Sequence, residues 1–258
     1  MKNKFLKTAL KAAEEANKVV MKYFGDLESM ETEFKDDNSP VTLADREAEN
    51  VIKEILLSKF PQHSIVSEEN EDSLKDSEYV WIVDPIDGTI KFSRGIPLFS
   101  VQIALVREYK PILGVTSNPA LGELYHAVEG QGTYKNGKRV HVSKTSDLSK
   151  SLTCAASTKY FNRTGNLDAL LRLLEFGKDR GIGDAYAYSL LASGSADVVI
   201  EAKTKIWDVA ASKVLVEEAG GKVTDFYGRE LDFQTLEDIE AVATNGILHD
   251  EVIGILNE

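Results

Sequence analysis

Residues 204–219 read as a helix that is apolar nearly all the way round, with Ile206, Trp207, Val209, Ala210, Ala211, Val214, Leu215 and Val216 leaving no broad polar face. Such a helix must be buried, so other elements have to cover it on several sides. Gly220-Gly221 closes it. Its first turn carries a carboxylate, Asp208. An isolated charge in that position is too costly to leave alone, so Asp208 needs a partner or a metal ion. A helix-dipole partner at the N-terminal turn is the other explanation, and the flanking Trp207 and Ala210-Ala211 weigh against it.

A second carboxylate motif is Trp81-Ile-Val-Asp-Pro-Ile-Asp-Gly-Thr-Ile-Lys-Phe92. Val80 to Val83 reads as a buried strand ending at Asp84. Pro85 cannot donate to a ladder, so the chain is expected to turn there and bring Asp87 back toward Asp84. Gly88 and Thr89 then offer main-chain N–H groups and a hydroxyl. Oxygen ligands gathered in this way suit a hard cation such as Mg²⁺. Taken alone, an Asp-Pro turn followed by an Asp helix cap explains the motif equally well.

Along the chain, residues 2–24 have helical spacing and stop at Gly25, and a second helix is expected from Thr42 to about Ser58, with a polar loop from Glu33 to Pro40 between them. After Asp87 come short strand candidates at Val101–Val106, Ile112–Thr116 and Leu124–Ala127, then a hairpin at Asn136-Gly137, which together read as antiparallel sheet. From about residue 150 strands alternate with helices: a strand at Ser151–Ala156, helices near Leu167–Phe176 and Ala185–Ala192, a strand at Asp197–Glu201, the helix at Thr204–Ala219, strands at Val223–Asp225 and Ile239–Thr244, and a last helix. Helices covering a sheet follow from such alternation. The expected organisation is one catalytic unit over residues 1–258, made of an N-terminal half, 1–147, and a C-terminal half, 148–258, that share one interface.

Charge narrows the partners. A net charge of −12 over 258 residues repels a nucleic-acid backbone, and no basic patch is visible to offset it. The same charge would oppose a small phosphate substrate unless metal ions neutralise the site locally. No stretch is long and apolar enough to cross a membrane, and MKNKFLKTALKAAEEANKVV turns acidic and periodic where a signal peptide would be apolar, so a cytoplasmic protein with no membrane partner is expected. The single cysteine, Cys154, excludes an internal disulfide and reads as a buried, inert thiol on a strand.

Other acids could complete a metal site. Glu68 and Glu69 follow the strand candidate His63–Ser67, where they form either a surface acidic pair or strand-end ligands. Asp45 closes Thr42-Leu-Ala-Asp45, which fits a capping box; a functional role needs it to face a hydroxyl or water near the metals. Lys35 has nothing local to distinguish it. An EF-hand starting at Asp84 fails, because Ile86, Gly88 and Gly95 occupy its ligand positions. No Walker ending exists, and Gly181-Ile-Gly183-Asp-Ala-Tyr186 puts Tyr at the third glycine of a dinucleotide loop. The four histidines lack ligand spacing, and most are read as surface residues.

These motifs resemble, in order and through nearly the whole chain, the inositol monophosphatase family of Mg²⁺-dependent, lithium-sensitive phosphatases. The resemblance is carried by Lys35, Pro40-Val-Thr-Leu-Ala-Asp45, Ser67-Glu-Glu69, Asp84-Pro-Ile-Asp-Gly-Thr89, Gly114, Asn136-Gly137, Trp207-Asp-Val-Ala-Ala211 and Glu218-Ala-Gly-Gly221. It implies an α/β layered α-β-α-β-α sandwich with an antiparallel N-terminal sheet and a mixed C-terminal sheet, commonly dimeric. It makes Glu68, Asp84, Asp87 and Asp208 carboxylate ligands of two or three Mg²⁺, with the Ile86 carbonyl and the Thr89 hydroxyl completing the first site. Asp45 and Thr89 would orient and deprotonate the attacking water, with Glu68 beside them, and the Gly88 and Thr89 N–H groups would hold the phosphate.

Departures from the inositol pattern concern the alcohol. Ile90-Lys91-Phe92 stands where inositol enzymes usually read Thr-Asn-Phe, and Gly183-Asp-Ala-Tyr-Ala-Tyr188 is similar to the histidinol-phosphate phosphatases of the same family. Asp184, Tyr186 and Glu201 are therefore the expected substrate residues, the acids offering charge-assisted partners to a cationic group; an N-cap is the other role open to Asp184. The expected substrate is L-histidinol phosphate. Inositol 1-phosphate comes next, a promiscuous sugar phosphatase is also open, and a non-catalytic phosphate-binding protein is the remote alternative.

Overall fold

The computed structural model describes residues 2–26, 32–34, 40–69, 77–155 and 157–258. In chain order its elements are α1 (Lys2–Phe24), β1 (Thr32–Phe34), β2 (Pro40–Thr42), α2 (Leu43–Lys59), β3 (Ser64–Ser67), β4 (Tyr79–Asp87), α3 (Thr89–Phe92), β5 (Ser100–Arg107), β6 (Lys110–Asn118), β7 (Glu123–Val128), β8 (Gly132–Lys135) and β9 (Lys138–Val140). Then follow β10 (Leu152–Ala155), α4 (Thr158–Thr164), α5 (Leu167–Leu174), β11 (Lys178–Arg180), α6 (Asp184–Ala192), β12 (Val198–Thr204), α7 (Ile206–Glu218), β13 (Lys222–Thr224), β14 (Ile239–Thr244) and α8 (His249–Leu256).

Strand periodicity explains the layering. In β4 and β5, Trp81, Val83, Val101, Ile103 and Leu105 pack with α1 and α2 through Phe5, Ala9, Ala13, Ala48 and Ile52. Their neighbours Val80, Ile82, Ala104 and Val106 face the other way and pack on α6 and α7. The second sheet repeats this division. Val199, Ala241 and Ala243 meet α7, whereas Val198, Ile200 and Val242 meet α4, α5 and α8 through Phe161, Leu170 and Val252. The result is the expected α-β-α-β-α sandwich, and α7 lies in its middle layer between two sheets, as an all-round apolar helix requires. Close packing there depends on Gly114 of β6: a Cβ at that position would lie 2.4 Å from the Ala211 carbonyl oxygen of α7.

The C-terminal sheet, in the order β11-β10-β12-β14-β13, is mixed. The seven-stranded sheet, in the order β3-β4-β5-β6-β7-β8-β9, departs from the wholly antiparallel expectation because β3 pairs with β4 in parallel. Nor does β4 end at Asp84. Asp84 pairs with Gln102 and Asp87 with Ser100, so β4 spends one extra residue there and continues as a bulge. Pro85 removes a donor without ending the strand. The polar loop expected from Glu33 to Pro40 is partly β-structure, since Glu33 pairs with Val41 and Phe34 with Pro40; Lys35 lies outside the described residues. The helix expected from Thr204 begins at Ile206, because Thr204 still pairs with Ile239 as the end of β12.

Candidate active site

Four elements deliver acids to one place. The β4 bulge presents Asp84 and Asp87, and the first turns of α2 and α7 present Asp45 and Asp208. The parallel pairing of Ser67 with Val83 carries the end of β3 alongside Asp84, and the Glu68 main-chain N–H donates to the Val83 carbonyl at 3.3 Å. Asp84, Asp87 and Asp208 bring a carboxylate oxygen each within 4.8 Å of one another, a group able to hold a metal ion. Half-buried Glu68 lies beside it, and its charge acts on both Asp84 and Asp45.

Hydrogen bonds fix these side chains and leave specific oxygens over. Asp84 Oδ1 accepts the Ile86 N–H at 3.0 Å. Asp87 Oδ2 accepts the Ala185 N–H at the start of α6 and the Gln102 Nε2 amide at 3.3 Å. Asp208 Oδ2 accepts Thr204 Oγ1 at 2.9 Å and the Lys205 N–H at 2.7 Å. Asp45 Oδ2 accepts Thr42 N–H at 2.7 Å and Thr42 Oγ1 at 2.5 Å, the expected cap. Its other oxygen, Oδ1, is buried without a protein partner. Capping and a role toward water are therefore compatible: one oxygen serves each. The Thr89 hydroxyl donates to the Ile86 carbonyl at 2.9 Å, which brings together the two oxygen donors expected beside Asp84. Gly88, at φ 89°, sits so tightly that a Cβ would lie 3.1 Å from both Asp184 Oδ2 and the Leu98 carbonyl.

The electrostatics ask for a cation. Burial lifts the Asp45 carboxyl to about 7, with Glu68 and Glu69 adding to it against the Thr42 bonds. Asp84 is raised well above the usual carboxylate range by burial and then by Glu68, Asp87 and Asp208. Asp87 is raised by burial and then by Asp184 and Asp208. Asp208 is lifted to about 7 by loss of solvent, despite the Lys205 N–H. Mutually repelling acids with an orphaned buried oxygen beside them fit divalent metal ions, which bind oxygen donors and supply the missing positive charge.

The alcohol side is built differently from the expectation. Glu201 is buried, accepts the Asp184 N–H at 3.1 Å and the Tyr188 hydroxyl at 3.0 Å, and is lifted to about 7 by burial and the Asp184 charge. Asp184 opens α6 at φ 60° and does not cap it; its carboxylate pairs with Lys91 at 2.7 Å. Tyr186 is not brought to this group. Its hydroxyl is raised by burial and by the Glu123 charge, with Lys135 also acting on it.

Four contributors were given no site role from the sequence. Gln102, a lone amide in an apolar strand, donates Nε2 to the Asp208 carbonyl at 2.6 Å and accepts Ser212 Oγ at 3.0 Å; a buried polar side chain in such a run is itself the signal. Tyr188 stands one helical turn after Asp184, so it shares that face, and Tyr186 does not. Glu49 accepts the Glu69 N–H at 3.1 Å and pairs with Lys53 at 2.7 Å, which holds the segment that carries Glu68. The pairing of Lys91 with Asp184 had no local signal. Most of the four histidines are expected at the surface, yet two are buried: His63 is stacked on Phe60 and Tyr79, and His249 lies between Thr224 and Thr244. Cys154 is buried on β10, and burial pushes its thiol up to about 11, as expected of an inert group.

A layered sandwich with a carboxylate cluster where a strand bulge meets helix N-termini is the architecture of metal-dependent phosphomonoesterases. The chain belongs to the inositol monophosphatase family, whose model matches residues 1–258. It is 40% identical over 226 residues to a histidinol-phosphatase of Chlorobaculum parvum, covering 87% of each chain. It is 34% identical to a fructose-1,6-bisphosphatase/inositol-1-monophosphatase of Thermotoga maritima over 97% of this chain and 94% of that one. Among solved structures, the extragenic suppressor protein suhB of Bartonella henselae superimposes with a TM-score of 0.90 at 31% identity, covering 98% of both chains. The inositol monophosphatase of Anabaena gives 0.86 at 33%, covering 99% of this chain and 96% of that one. Among the described residues no helix is long and apolar enough to cross a membrane.

Proposed function

We propose that this phosphomonoesterase is Mg²⁺-dependent, works with two or three ions, and prefers L-histidinol phosphate. The observation that carries the hydrolytic reading is the convergence of Asp84, Asp87 and Asp208 next to an unpartnered, buried oxygen of Asp45. Glu68, Asp84, Asp87 and Asp208, with the Ile86 carbonyl and the Thr89 hydroxyl, would hold the ions. Bound there, divalent cations lower the pKa of water and neutralise phosphate charge.

The chain's own groups do the rest. Asp45 Oδ1, buried and without a protein partner, is placed to act as a general base toward the attacking water. Its other oxygen is tied to Thr42, so the carboxylate cannot turn away. Thr89 donates its hydroxyl hydrogen bond to the Ile86 carbonyl and so presents its lone pairs to the water. The Gly88 and Thr89 N–H groups, where α3 starts, cradle the phosphate. Asp184 and Glu201 border the alcohol, with Tyr188 orienting Glu201.

Support for the cationic substrate comes from those two acids and from histidinol-phosphatases among the relatives. Inositol 1-phosphate is favoured by one observation, the neutralisation of Asp184 by Lys91. Because Asp184, Glu201 and Asp208 come from 148–258 and the other acids from 1–147, the halves would act as one catalytic unit. We also assign the protein to the cytoplasm and to a homodimer. The test is phosphate release with and without Mg²⁺, followed by kcat/KM on both substrates. Equal background release in both conditions refutes hydrolysis, and a higher value on inositol 1-phosphate refutes the substrate.

A further inference from the structure

We infer that Lys91 is a specificity-determining residue of the alcohol subsite, where its ammonium occupies Asp184 as a resident stand-in for a cationic group of the substrate and so narrows discrimination between cationic and uncharged phosphorylated alcohols. This rests on the phosphatase reading above. Lys91 sits on α3, two residues beyond the phosphate-cradling Thr89, and reaches across to α6. Its Nζ lies 2.7 Å from Asp184 Oδ2 and 3.3 Å from the Gly183 carbonyl. Its charge also acts on Glu201, the other acid of the subsite. Asp184, the acid of the two that remains partly exposed, is therefore already paired with a lysine.

The pair is built to exchange. Its side chains remain 23% and 34% exposed, so water and ligand can reach both. A partly exposed ion pair contributes little net stability, so an ammonium on a phosphate-anchored ligand can displace the lysine. Lys91 also sits against the N-terminus of α6, the end of a helix dipole that disfavours a cation. Asp184, by contrast, is held: its φ is 60°, its N–H is bound to Glu201, and Gly88 packs against its carboxylate. The mobile member of the pair is the lysine. With Lys91 on Asp184, an uncharged polyol meets a neutralised acid; when Lys91 swings off, an amino alcohol meets a free one.

The test is the ratio of kcat/KM on L-histidinol phosphate to that on inositol 1-phosphate, in Mg²⁺, for wild type, Lys91→Gln, Lys91→Met and Lys91→Arg. Removing the charge should raise the ratio about fivefold, the scale of a half-exposed charged partner, and Lys91→Arg should keep the wild-type ratio. Calorimetry on L-histidinol without phosphate, with thermal melts alongside, should show tighter binding to Lys91→Gln. A ratio and affinity that stay put in both neutral variants, or that fall, overturn the inference, as does an equal loss on both substrates. If the wild type releases no phosphate from either compound, the phosphatase reading fails by itself, and L-histidinol binding still decides the role of Lys91.

Discussion

Gln102 Nε2 donates to the main-chain carbonyl of Asp208 at 2.6 Å, so β5, an interior strand of the seven-stranded sheet, grips the first turn of the buried helix. The same amide reaches Asp87 Oδ2 at 3.3 Å. Two carboxylates from distant parts of the chain are thereby set relative to each other by one fully buried side chain. Replacing it with Leu keeps the volume and removes both tethers. Gln102→Leu should weaken Mg²⁺ binding about 10- to 100-fold, as loss of a group that orients ligands does, and titration calorimetry would read this directly.

Asp45 tests the division of labour between its two oxygens. Asn can still accept the Thr42 N–H through its carbonyl, so the cap survives, but it cannot take a proton. Asp45→Asn should lower kcat about 10²- to 10⁴-fold while the melting temperature in Mg²⁺ hardly changes. Comparable losses of fold and rate would make Asp45 a cap alone.

The clustered acids also set a pH dependence. Asp45 and Asp208 rise from 3.8, and Glu201 from 4.5, to about 7 in the folded chain without metal. Between those limits the folded state holds more protons than the unfolded one, so stability falls as pH rises. Their contribution is fully present below about 4 and is lost as pH passes about 7. Melts of EDTA-treated protein should therefore drop through that window. Mg²⁺ should restore more stability at its upper end, where the carboxylates are ionised and bind it best.

Gly114 ties the site to packing. A methyl group there meets the Ala211 carbonyl at 2.4 Å, which neither β6 nor α7 can yield without moving. Gly114→Ala should cost about 1–3 kcal/mol in denaturant unfolding. Because α7 carries Asp208, Mg²⁺ affinity should fall with it.

Asp184→Asn separates the two substrates. It removes the acid and leaves the Lys91 ammonium unbalanced beside the alcohol. The loss on L-histidinol phosphate should be about tenfold, the scale of a charge-assisted hydrogen bond, and clearly smaller on inositol 1-phosphate. Steady-state kinetics on both would show an equal loss if Asp184 serves only to shape α6.

Local pattern was enough for much of this protein. The apolar run from Ile206 to Val216 had to be a buried helix because it leaves no broad polar face, and Asp208 had to have company because burial makes a lone carboxylate costly. The nearly continuous apolar runs at Val80–Val83 and Val101–Val106 pointed to buried strands, and the order of elements followed. What the residues around each position could not encode was the pairing between remote positions. The parallel register of β3 on β4 decided that Glu68 stands beside Asp84, and the bulge kept Asp84 and Asp87 on one strand where a turn was expected. Helix rotation chose Tyr188 over Tyr186 for Glu201. Lys91 and Asp184 looked like two separate departures from a family pattern and became one ion pair only when α3 and α6 were brought together. Periodicity reports which face of an element is buried; which partner it is buried against depends on register and packing across the whole chain, and the chemistry of this site lives at those crossings.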